Sequence, residues 1–427
     1  MTAHNGLQMR IWIYRILCSS GMALLAMTTP AMAEGSQAAP RGSLVIMGGA
    51  VRPDNVDIWR RLVELTGKPK PRFAIIAAAA GDPVVSAKRI SDALGSYGAE
   101  SFLVPIAPRL KDTDFRKNAQ DVELAQTITA ADGVFFTGGD QSRITAALRT
   151  ADGKSTRALD AVWAVYRRGG VIAGTSAGAA IMSSTMFYEP PGVLSVLQHG
   201  VKQGSDIAAG LGFLSAPVFV DQHLLARGRF ARMISVMHTA KYHYGLGVDE
   251  NTAVVVLADG TAEVVGASGV IVADLSKASI AQTPAGLRAT DVRLSYLERG
   301  DRINLKDMAV TASAFKRDGR VLDPKDKAYK PEFDEPRFYA DVLGKNVLVE
   351  VLTNLIDNTA KEVVGLAFAA PDAKAAAGAS GFEFRFRKGQ DTRGHLRIEQ
   401  GVAHYTVLAV EMDVLPVQMA APLYRLE

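Results

Sequence analysis

The chain has 427 residues, of which 48% are hydrophobic and 22% charged, and its formal net charge is +4. This composition excludes an intrinsically disordered chain and suits one large globular domain with a smaller one. Because the net charge is small and no lysine-rich or arginine-rich run occurs, the sequence argues against nucleic-acid binding, which requires a clustered basic face.

The first 33 residues have the layout of a secretory signal peptide. Arg10 and Arg15 precede the apolar stretch 16–27, and Ala31-Met32-Ala33 then offers small residues for a signal peptidase. The apolar stretch is about 12 residues long, whereas a helix needs about 20 to span a bilayer, which argues against the alternative of a membrane anchor. We therefore expect cleavage near Ala33, a periplasmic or secreted location, and no membrane association of the mature protein.

Strand and helix patterns alternate after a small, polar segment at residues 34–42, which is predicted to be a linker. Strands are predicted at 43–47, 73–79, 102–106, 134–136 and 171–173, with helices between them at 55–66, 84–94, 119–129, 141–149 and 157–167. This alternation predicts an α/β fold with a parallel sheet covered by helices on both faces. Functional residues are then expected at the carboxyl ends of the strands.

The alternation continues to about residue 290 and then changes. Further strands are predicted at 216–220, 244–248, 253–257, 263–265 and 270–275, with a helix near 226–240. Residues 43–290 are therefore predicted to form a catalytic α/β domain. The alternating segments in 291–427 predict a smaller β-rich C-terminal domain, whose role the sequence does not indicate.

A candidate nucleophile lies in the turn Gly174-Thr175-Ser176-Ala177-Gly178, between a buried strand and a helix of small residues. Gly-x-Ser-x-Gly in this setting is the pattern of a nucleophile elbow. The glycines allow close backbone approach, and the following helix directs its N-terminal N–H groups towards the serine. The turn predicts Ser176 as a nucleophile and the backbone N–H of Ala177 as an oxyanion donor. The alternative is a glycine-rich turn without chemistry.

A serine nucleophile needs a general base, and His223 is the strongest candidate. It follows the apolar strand 216–220, and a parallel sheet places the end of such a strand beside Ser176. Three other histidines of this region are weaker rivals: His199, His238 and His243.

The third member of a triad is a carboxylate that orients the imidazole. Glu250 follows a predicted strand and is preferred, and only one of Glu250 and Asp249 can face the site because side chains alternate along a strand. Glu189 remains an alternative. Asp221 lies two residues before His223 and is better placed to shape a pocket.

The segment Gly138-Gly139-Asp140-Gln141 ends another predicted strand. Its glycines permit a tight turn, so we expect the N–H of Gly139 to complete an oxyanion hole. Asp140 suits the N-cap of the next helix, and Gln141 is expected to project near the serine. Three arginines follow the candidate histidine: Arg227, Arg229 and Arg232. Guanidinium groups in this position can bind carboxylates. The alternative interpretation is that the three arginines form a solvated basic face of a helix.

Taken together, these motifs resemble the cyanophycinases, a serine peptidase family that also contains the aspartyl dipeptidases. The resemblance runs from about residue 43 to about residue 276 and rests on four motifs: Gly-Gly-Asp-Gln (138–141), Gly-Thr-Ser-Ala-Gly-Ala (174–179), Asp-Gln-His (221–223) with its arginines, and Gly-Val-Asp-Glu-Asn-Thr-Ala (247–253). It implies a flavodoxin-like, class I glutaminase-like sheet. It also implies hydrolysis of cyanophycin, a poly-aspartate with arginine on each side-chain carboxyl, to β-Asp-Arg dipeptides.

The resemblance further implies a role for each site residue. Ser176 is the implied nucleophile, His223 the base and Glu250 its orienting acid. The residues implied to bind substrate are Asp140, Gln141, Asp221, Gln222, Arg227, Arg229 and Arg232. No metal or organic cofactor is expected, and homodimers are usual in the family.

Two other functions remain open at this point. One is an aspartyl dipeptidase-like exopeptidase with the same machinery, against which the arginine set argues. The other is a non-catalytic polymer-binding protein of the same fold, against which the intact set of Ser176, His223 and Glu250 argues. Residues 291–427 depart from the family pattern, because the short intracellular enzymes lack them.

Overall fold

The computed structural model describes residues 40–369, 380–418 and 420, so the predicted signal peptide lies outside the described residues. The strands are β1 (Ser43–Met47), β2 (Arg72–Ile76), β3 (Glu100–Leu103), β4 (Gly133–Phe136), β5 (Val171–Thr175), β6 (Thr185–Phe187), β7 (Ile207–Ala209), β8 (Val218–Gln222), β9 (Tyr244–Val248), β10 (Thr252–Val256), β11 (Thr261–Gly266), β12 (Gly269–Asp274), β13 (Ser279–Thr283), β14 (Gly286–Glu298), β15 (Arg302–Asn304), β16 (Ala309–Thr311), β17 (Arg320–Leu322), β18 (Phe338–Tyr339), β19 (Glu362–Phe368), β20 (Ser380–Glu399) and β21 (Val402–Gln418). The helices are α1 (Val56–Glu64), α2 (Pro83–Ser96), α3 (Phe115–Ala119), α4 (Val122–Thr129), α5 (Gln141–Leu148), α6 (Arg157–Arg167), α7 (Ala177–Ala180), α8 (Val193–His199), α9 (Phe230–Ala240), α10 (Ala314–Arg317) and α11 (Val347–Ile356).

The first sheet has the order β16-β15-β11-β10-β1-β5-β4-β2-β3. The strands from β3 to β1 pair in parallel, as the alternation of strands and helices predicts. From β10 outward the pairing is antiparallel. Short connections join β10 to β11 and β15 to β16, which leave no room for a crossover helix, whereas the chain between β11 and β15 passes through three strands of the second sheet. The predicted α/β fold class is confirmed.

Helices cover both faces of the first sheet. Leu44 and Ile46 of β1 are buried on the face that α4, α5 and α6 cover. Val45 and Met47 point to the opposite face, where Trp59 of α1 lies in the same hydrophobic cluster. Both faces of β1 are therefore apolar, which explains why this strand reads as a continuous hydrophobic run.

The second sheet has the order β18-β19-β20-β21-β14-β12-β9-β8, with β13 paired to β14 and β17 to β20. It holds β8, which the sequence analysis expected beside the serine strand in the parallel sheet. That expectation was wrong: β8 pairs in parallel with β9, and β9 pairs antiparallel with β12. Hydrophobic patterning shows that β8 is buried but carries no information about which sheet it joins.

The boundary predicted at residue 290 falls inside β14. This strand pairs with β12 on one side and with β21 on the other, so the C-terminal strands continue a sheet that begins in the first part of the chain. The described residues form one compact unit. None of the helices that the structure describes combines the length and apolar character needed to cross a membrane.

Candidate active site

Ser176 lies in a sharp turn between β5 and α7, with φ +54° and ψ −112°. Its backbone N–H donates to the carbonyl of Met47 at 3.0 Å. A Cβ added to Gly174 would lie 2.1 Å from the carbonyl oxygen of Gly178, and one added to Gly178 would lie 2.4 Å from that of Phe136. Only glycine fits at either flank, so the predicted elbow geometry is present and exposes the serine Oγ at the carboxyl end of β5.

The imidazole of His223 connects Ser176 to Glu250. Its Nε2 lies 2.9 Å from the Oγ of Ser176, and its Nδ1 lies 2.6 Å from the Oε1 of Glu250. The side chain of His223 is 7% exposed and that of Glu250 is 33% exposed. Because the carboxylate accepts the Nδ1–H, the Nε2 lone pair faces the serine hydroxyl, which is the tautomer that a general base requires.

The three side chains come together at the junction of the two sheets. Ser176 follows β5 of the first sheet, His223 follows β8 of the second, and Glu250 lies in the short loop from β9 of the second sheet to β10 of the first. Gly49, directly after β1, lies against the imidazole, since an added Cβ would be 2.2 Å from its Cε1. The N–H of Asn251 donates to the carbonyl of Gly49 at 2.8 Å and ties the acid's loop to the same point.

Burial lowers the pKa of His223 below its usual 6.5. The hydrogen bond that His223 donates to Glu250 opposes this shift, and the positive charge of Arg227 adds to it. The imidazole is therefore neutral at neutral pH and free to accept a proton from Ser176.

The glycines at the end of β4 lie beside the serine. A Cβ on Gly138 would be 3.2 Å from the Cβ of Ser176, and Gly139, with φ +138°, lies so close to Ala79 that an added Cβ would be 2.1 Å from its carbonyl oxygen. Within the described ranges, the backbone N–H groups of Gly139 and Ala177 donate to no protein acceptor. They remain available as hydrogen-bond donors beside Ser176.

Asp140 and Gln141 are engaged within the protein. The Oδ1 of Asp140 accepts from the backbone N–H of Ser142 at 2.9 Å, so Asp140 caps α5, and its Oδ2 lies 3.2 Å from Arg143. The buried Gln141 donates from Nε2 to the carbonyl of Phe187 at 2.9 Å and fixes β6 against the site.

Asp221 and Arg232 form a buried, bidentate ion pair with distances of 2.9 and 3.0 Å. Arg232 also lies 4.0 Å above the ring of Phe187. With 1% and 4% of their surfaces exposed, the two residues neutralise each other inside the protein and support the pocket from behind.

The charge of the other two arginines is not neutralised. Arg229 donates from Nη1 to the backbone carbonyl of Gln222 at 2.9 Å and to its Oε1 at 3.1 Å, and that Oε1 lies 3.5 Å from the Oγ of Ser176. In the part of the chain that the structure describes, neither Arg229 nor the exposed Arg227 has a carboxylate within 4.0 Å. Burial, followed by repulsion from Arg232, lowers the pKa of Arg229 to about 10. A positive patch therefore adjoins Ser176.

Asp249 and Ser268 have roles that the sequence did not reveal. Asp249 accepts from the backbone N–H groups of Leu225 and Ala226 at 3.0 and 2.9 Å, and from the Oγ of Ser268 at 2.8 Å. Asp249 is thus a structural neighbour of the acid that faces His223. A signal for Gly49 was present in Gly48-Gly49, the glycine pair that follows β1, but nothing local connects it to a histidine far along the chain.

The sequence rivals lie away from the imidazole. Glu189 is exposed, and its backbone N–H donates to the carbonyl of Ser205. His199 and His243 are exposed, and His238 is half-buried within α9. Across the described residues, no group of His, Cys, Asp or Glu side chains is arranged to hold a metal ion.

Comparison with known proteins gives consistent matches. The model of peptidase family S51 matches residues 44–265. The cyanophycinase of Trichormus variabilis is 30% identical over 297 residues, which cover 67% of this chain and 91% of that protein. The cyanophycinase of Geminocystis herdmanii is 30% identical over 275 residues, or 62% of this chain and 94% of that protein. A crystal structure of a peptidase from an acI-B1 Actinobacterium aligns with a TM-score of 0.46 and 20% identity, covering 63% of this chain and 98% of that one.

Proposed function

The chain belongs to peptidase family S51, and we propose that its substrate is cyanophycin, which it hydrolyses to β-Asp-Arg dipeptides with Ser176 as nucleophile. The observation that carries the proposal is the hydrogen-bonded series from Ser176 through His223 to Glu250 beside two arginines without acidic partners. The relatives named cyanophycinase, which match two thirds of the chain, support the choice of substrate.

In the proposed reaction, Ser176 attacks the scissile backbone carbonyl while His223 removes its proton. The N–H groups of Gly139 and Ala177 stabilise the oxyanion of the tetrahedral intermediate. The imidazolium, stabilised by Glu250, then protonates the departing aspartyl amine, and the peptide bond breaks to leave an acyl-enzyme. Water, deprotonated by His223, attacks the ester and releases the carboxylic acid and the free serine.

The charge of the site suits this polymer. Each repeat of cyanophycin carries one guanidinium and one free α-carboxylate. Arg227 and Arg229 suit the carboxylate, because a guanidinium can donate two parallel hydrogen bonds to it. The buried pair of Asp221 and Arg232 is already neutral, so we assign it to support of the pocket and not to direct recognition.

The direct test is mass-spectrometric analysis of products from purified cyanophycin. We expect β-Asp-Arg dipeptides with the wild type and none with Ser176→Ala, while Ser96→Ala, at the exposed end of α2, retains full activity. Hydrolysis of short Asp-X dipeptides with no action on the polymer would favour an aspartyl dipeptidase. Co-sedimentation with the polymer without any product would favour a binding protein. Unchanged activity in Ser176→Ala would overturn the serine mechanism.

We also propose that the protein is exported and forms a homodimer. Cyanophycin is an insoluble granule, so a cell that feeds on the polymer of another cell needs an external enzyme, and the sequence of residues 1–33 fits that use. Fractionation of the producing cell and N-terminal sequencing of the purified protein test export, with a first residue near Glu34 expected. Light scattering during size-exclusion chromatography tests the dimer.

A further inference from the structure

The two arginines without acidic partners lie in one short segment, residues 224–229, which we name the arginine loop. It connects His223 to α9 through successive turns, with the N–H of Arg229 donating to the carbonyl of Leu224 at 2.8 Å. On one side, Asp249 holds the start of the loop by accepting from the N–H groups of Leu225 and Ala226. The loop is therefore attached to the segment that carries the triad acid.

The C-terminal part of the chain holds the opposite side of the arginine loop. The backbone N–H of Asn346 donates to the carbonyl of Leu225 at 2.9 Å. Gly228, between the two arginines, has φ +56°, and an added Cβ would lie 1.9 Å from the carbonyl oxygen of Leu343 and 2.9 Å from its Cα. The backbone of Leu343 thus lies directly against the loop at the one residue that has no side chain.

This contact is anchored on both sides by a common hydrophobic core. Asn346, with φ +61°, immediately precedes α11. Side chains of the arginine loop, α9, α11 and β20 belong to one buried cluster, which includes Leu224, Leu225, Phe230, Leu348, Val351, Leu352, Phe382 and Phe384. The rings of Phe230 and Phe384 meet edge to face with their centroids 5.7 Å apart. The loop and the C-terminal segment are therefore packed against each other through a shared core.

Such support is needed because the arginines repel one another. Arg227, Arg229 and Arg232 are close enough for their charges to interact, and only Arg232 has an acidic partner within the described residues. Repulsion between like charges disfavours a compact loop, although Asp221 and Glu250 partly offset it at Arg229, and backbone contacts oppose it. We propose that Leu343 and Asn346 are positioning residues, which hold the arginine loop so that Arg227 and Arg229 can bind a carboxylate of the substrate. This inference rests on the proposed function, which assigns these arginines to carboxylate recognition.

The experiment measures the rate at which Ser176 is labelled by two phosphonofluoridates that are identical except that one carries a carboxylate and the other its carboxamide. Because a charge-assisted hydrogen bond to a carboxylate contributes about 1.5–3 kcal/mol, we expect the wild type to prefer the carboxylate by about 10- to 100-fold. Arg227→Met shows how far the preference for the carboxylate falls when one guanidinium is removed. The wild type's action on the polymer is measured separately, so failure of the substrate assignment is distinguishable from failure of the positioning role.

Asn346→Val is the test variant, because a β-branched residue does not tolerate the left-handed conformation, and Asn346→Gly is its control, because glycine does. We expect Asn346→Val to reduce the preference for the carboxylate at least fivefold while the carboxamide reacts at the wild-type rate. Asn346→Gly keeps the wild-type ratio. If Asn346→Val does not fold, Gly228→Ala tests the same contact from the loop, with Gly67→Ala, at φ +63° in open space, as its control.

Three results would overturn the inference. One is an unchanged preference in both test variants, and another is an equal fall in the two labelling rates, which a general loss of folded protein produces. The third is a wild-type ratio near one, because the arginines would then have no carboxylate-binding role to support.

Discussion

At Gly49, the addition of a single methyl group should have a large effect on catalysis. Its φ is +119°, and an added Cβ would lie 2.2 Å from the Cε1 of His223, 2.3 Å from Nε2 and 2.9 Å from Nδ1. Carbon atoms in ordinary contact are separated by about 3.5 Å, so the imidazole of a Gly49→Ala variant would have to move by about 1.3 Å. The backbone of Gly49 cannot retreat freely, because its carbonyl accepts from Asn251.

That displacement is incompatible with the two hydrogen bonds of the imidazole. Nε2 is 2.9 Å from Ser176 and Nδ1 is 2.6 Å from Glu250, and the ring cannot move away from Gly49 by this distance while it keeps both. Misplacement of a reacting group by about 1 Å costs about 100-fold in rate. We expect the kcat/KM of Gly49→Ala for release of dipeptide from cyanophycin to fall by about 100-fold or more, chiefly in kcat.

The matched control is Gly169→Ala, which places alanine at a φ of +112°, close to that of Gly49, without any neighbour within 4 Å. It carries the backbone strain without the collision, so its kcat/KM should stay close to the wild-type value. Circular dichroism establishes that both variants are folded. If folded Gly49→Ala keeps a third or more of the wild-type kcat/KM, the imidazole of His223 is not the base, and the proposed mechanism fails.

Three further changes test the acid, the pH dependence and a buried ion pair. Glu250→Gln should lower kcat by about 1000-fold or more, because it no longer stabilises the imidazolium, while Glu189→Gln should have no effect. The acid limb of kcat/KM against pH should have its midpoint below 6.5, because burial lowers the pKa of His223 and the neutral imidazole is the active form. Arg227→Met should move that midpoint to higher pH, since it removes a positive charge that disfavours the imidazolium. The Nζ of Lys316 lies 2.6 Å from the fully buried carboxylate of Asp301. Lys316→Met should lower the free energy of unfolding by about 3–5 kcal/mol in urea titrations, because Asp301 then loses its counter-charge.

Each of these expectations has an opposing result. If Glu250→Gln keeps full activity and Glu189→Gln loses it, the third member of the triad is Glu189 and not Glu250. If the midpoint of the acid limb does not shift in Arg227→Met, or shifts equally in Arg89→Met on the exposed face of α2, the charge of Arg227 does not lower the pKa of His223. A change below about 1 kcal/mol in Lys316→Met would mean that water reaches the remaining carboxylate.

The nucleophile turn was predictable because its signal is local. The strained conformation of Ser176 depends on the two flanking glycines and on the strand and helix that adjoin it, and all of these lie within a few residues. The reason for proposing His223 as the base was partly wrong. The histidine does follow a buried strand, but that strand belongs to the second sheet and reaches the serine across the junction.

The remaining features depend on contacts between distant parts of the chain. Gly49 meets a histidine that no pattern near residue 49 indicates, and Asp249 reads as a second candidate acid until its hydrogen bonds to Leu225 and Ala226 are seen. The boundary predicted at residue 290 was drawn where the hydropathy pattern changes. That pattern indicates which face of β14 is buried, but it does not predict the hydrogen bonds of β14 to β12 and β21.

The position of the triad between the sheets gives the C-terminal strands a structural role. Ser176 is fixed by the first sheet, whereas His223 follows a strand of the second, so their 2.9 Å contact requires that the sheets keep their relative position. The second sheet runs from β8 through β9, β12 and β14 to β21 and β20. Without β21, the buried side chains of β14 on that edge, such as Val292 and Leu294, would lose the strand beside them. The loss of this burial would destabilise the sheet to which β8, the strand that precedes His223, belongs.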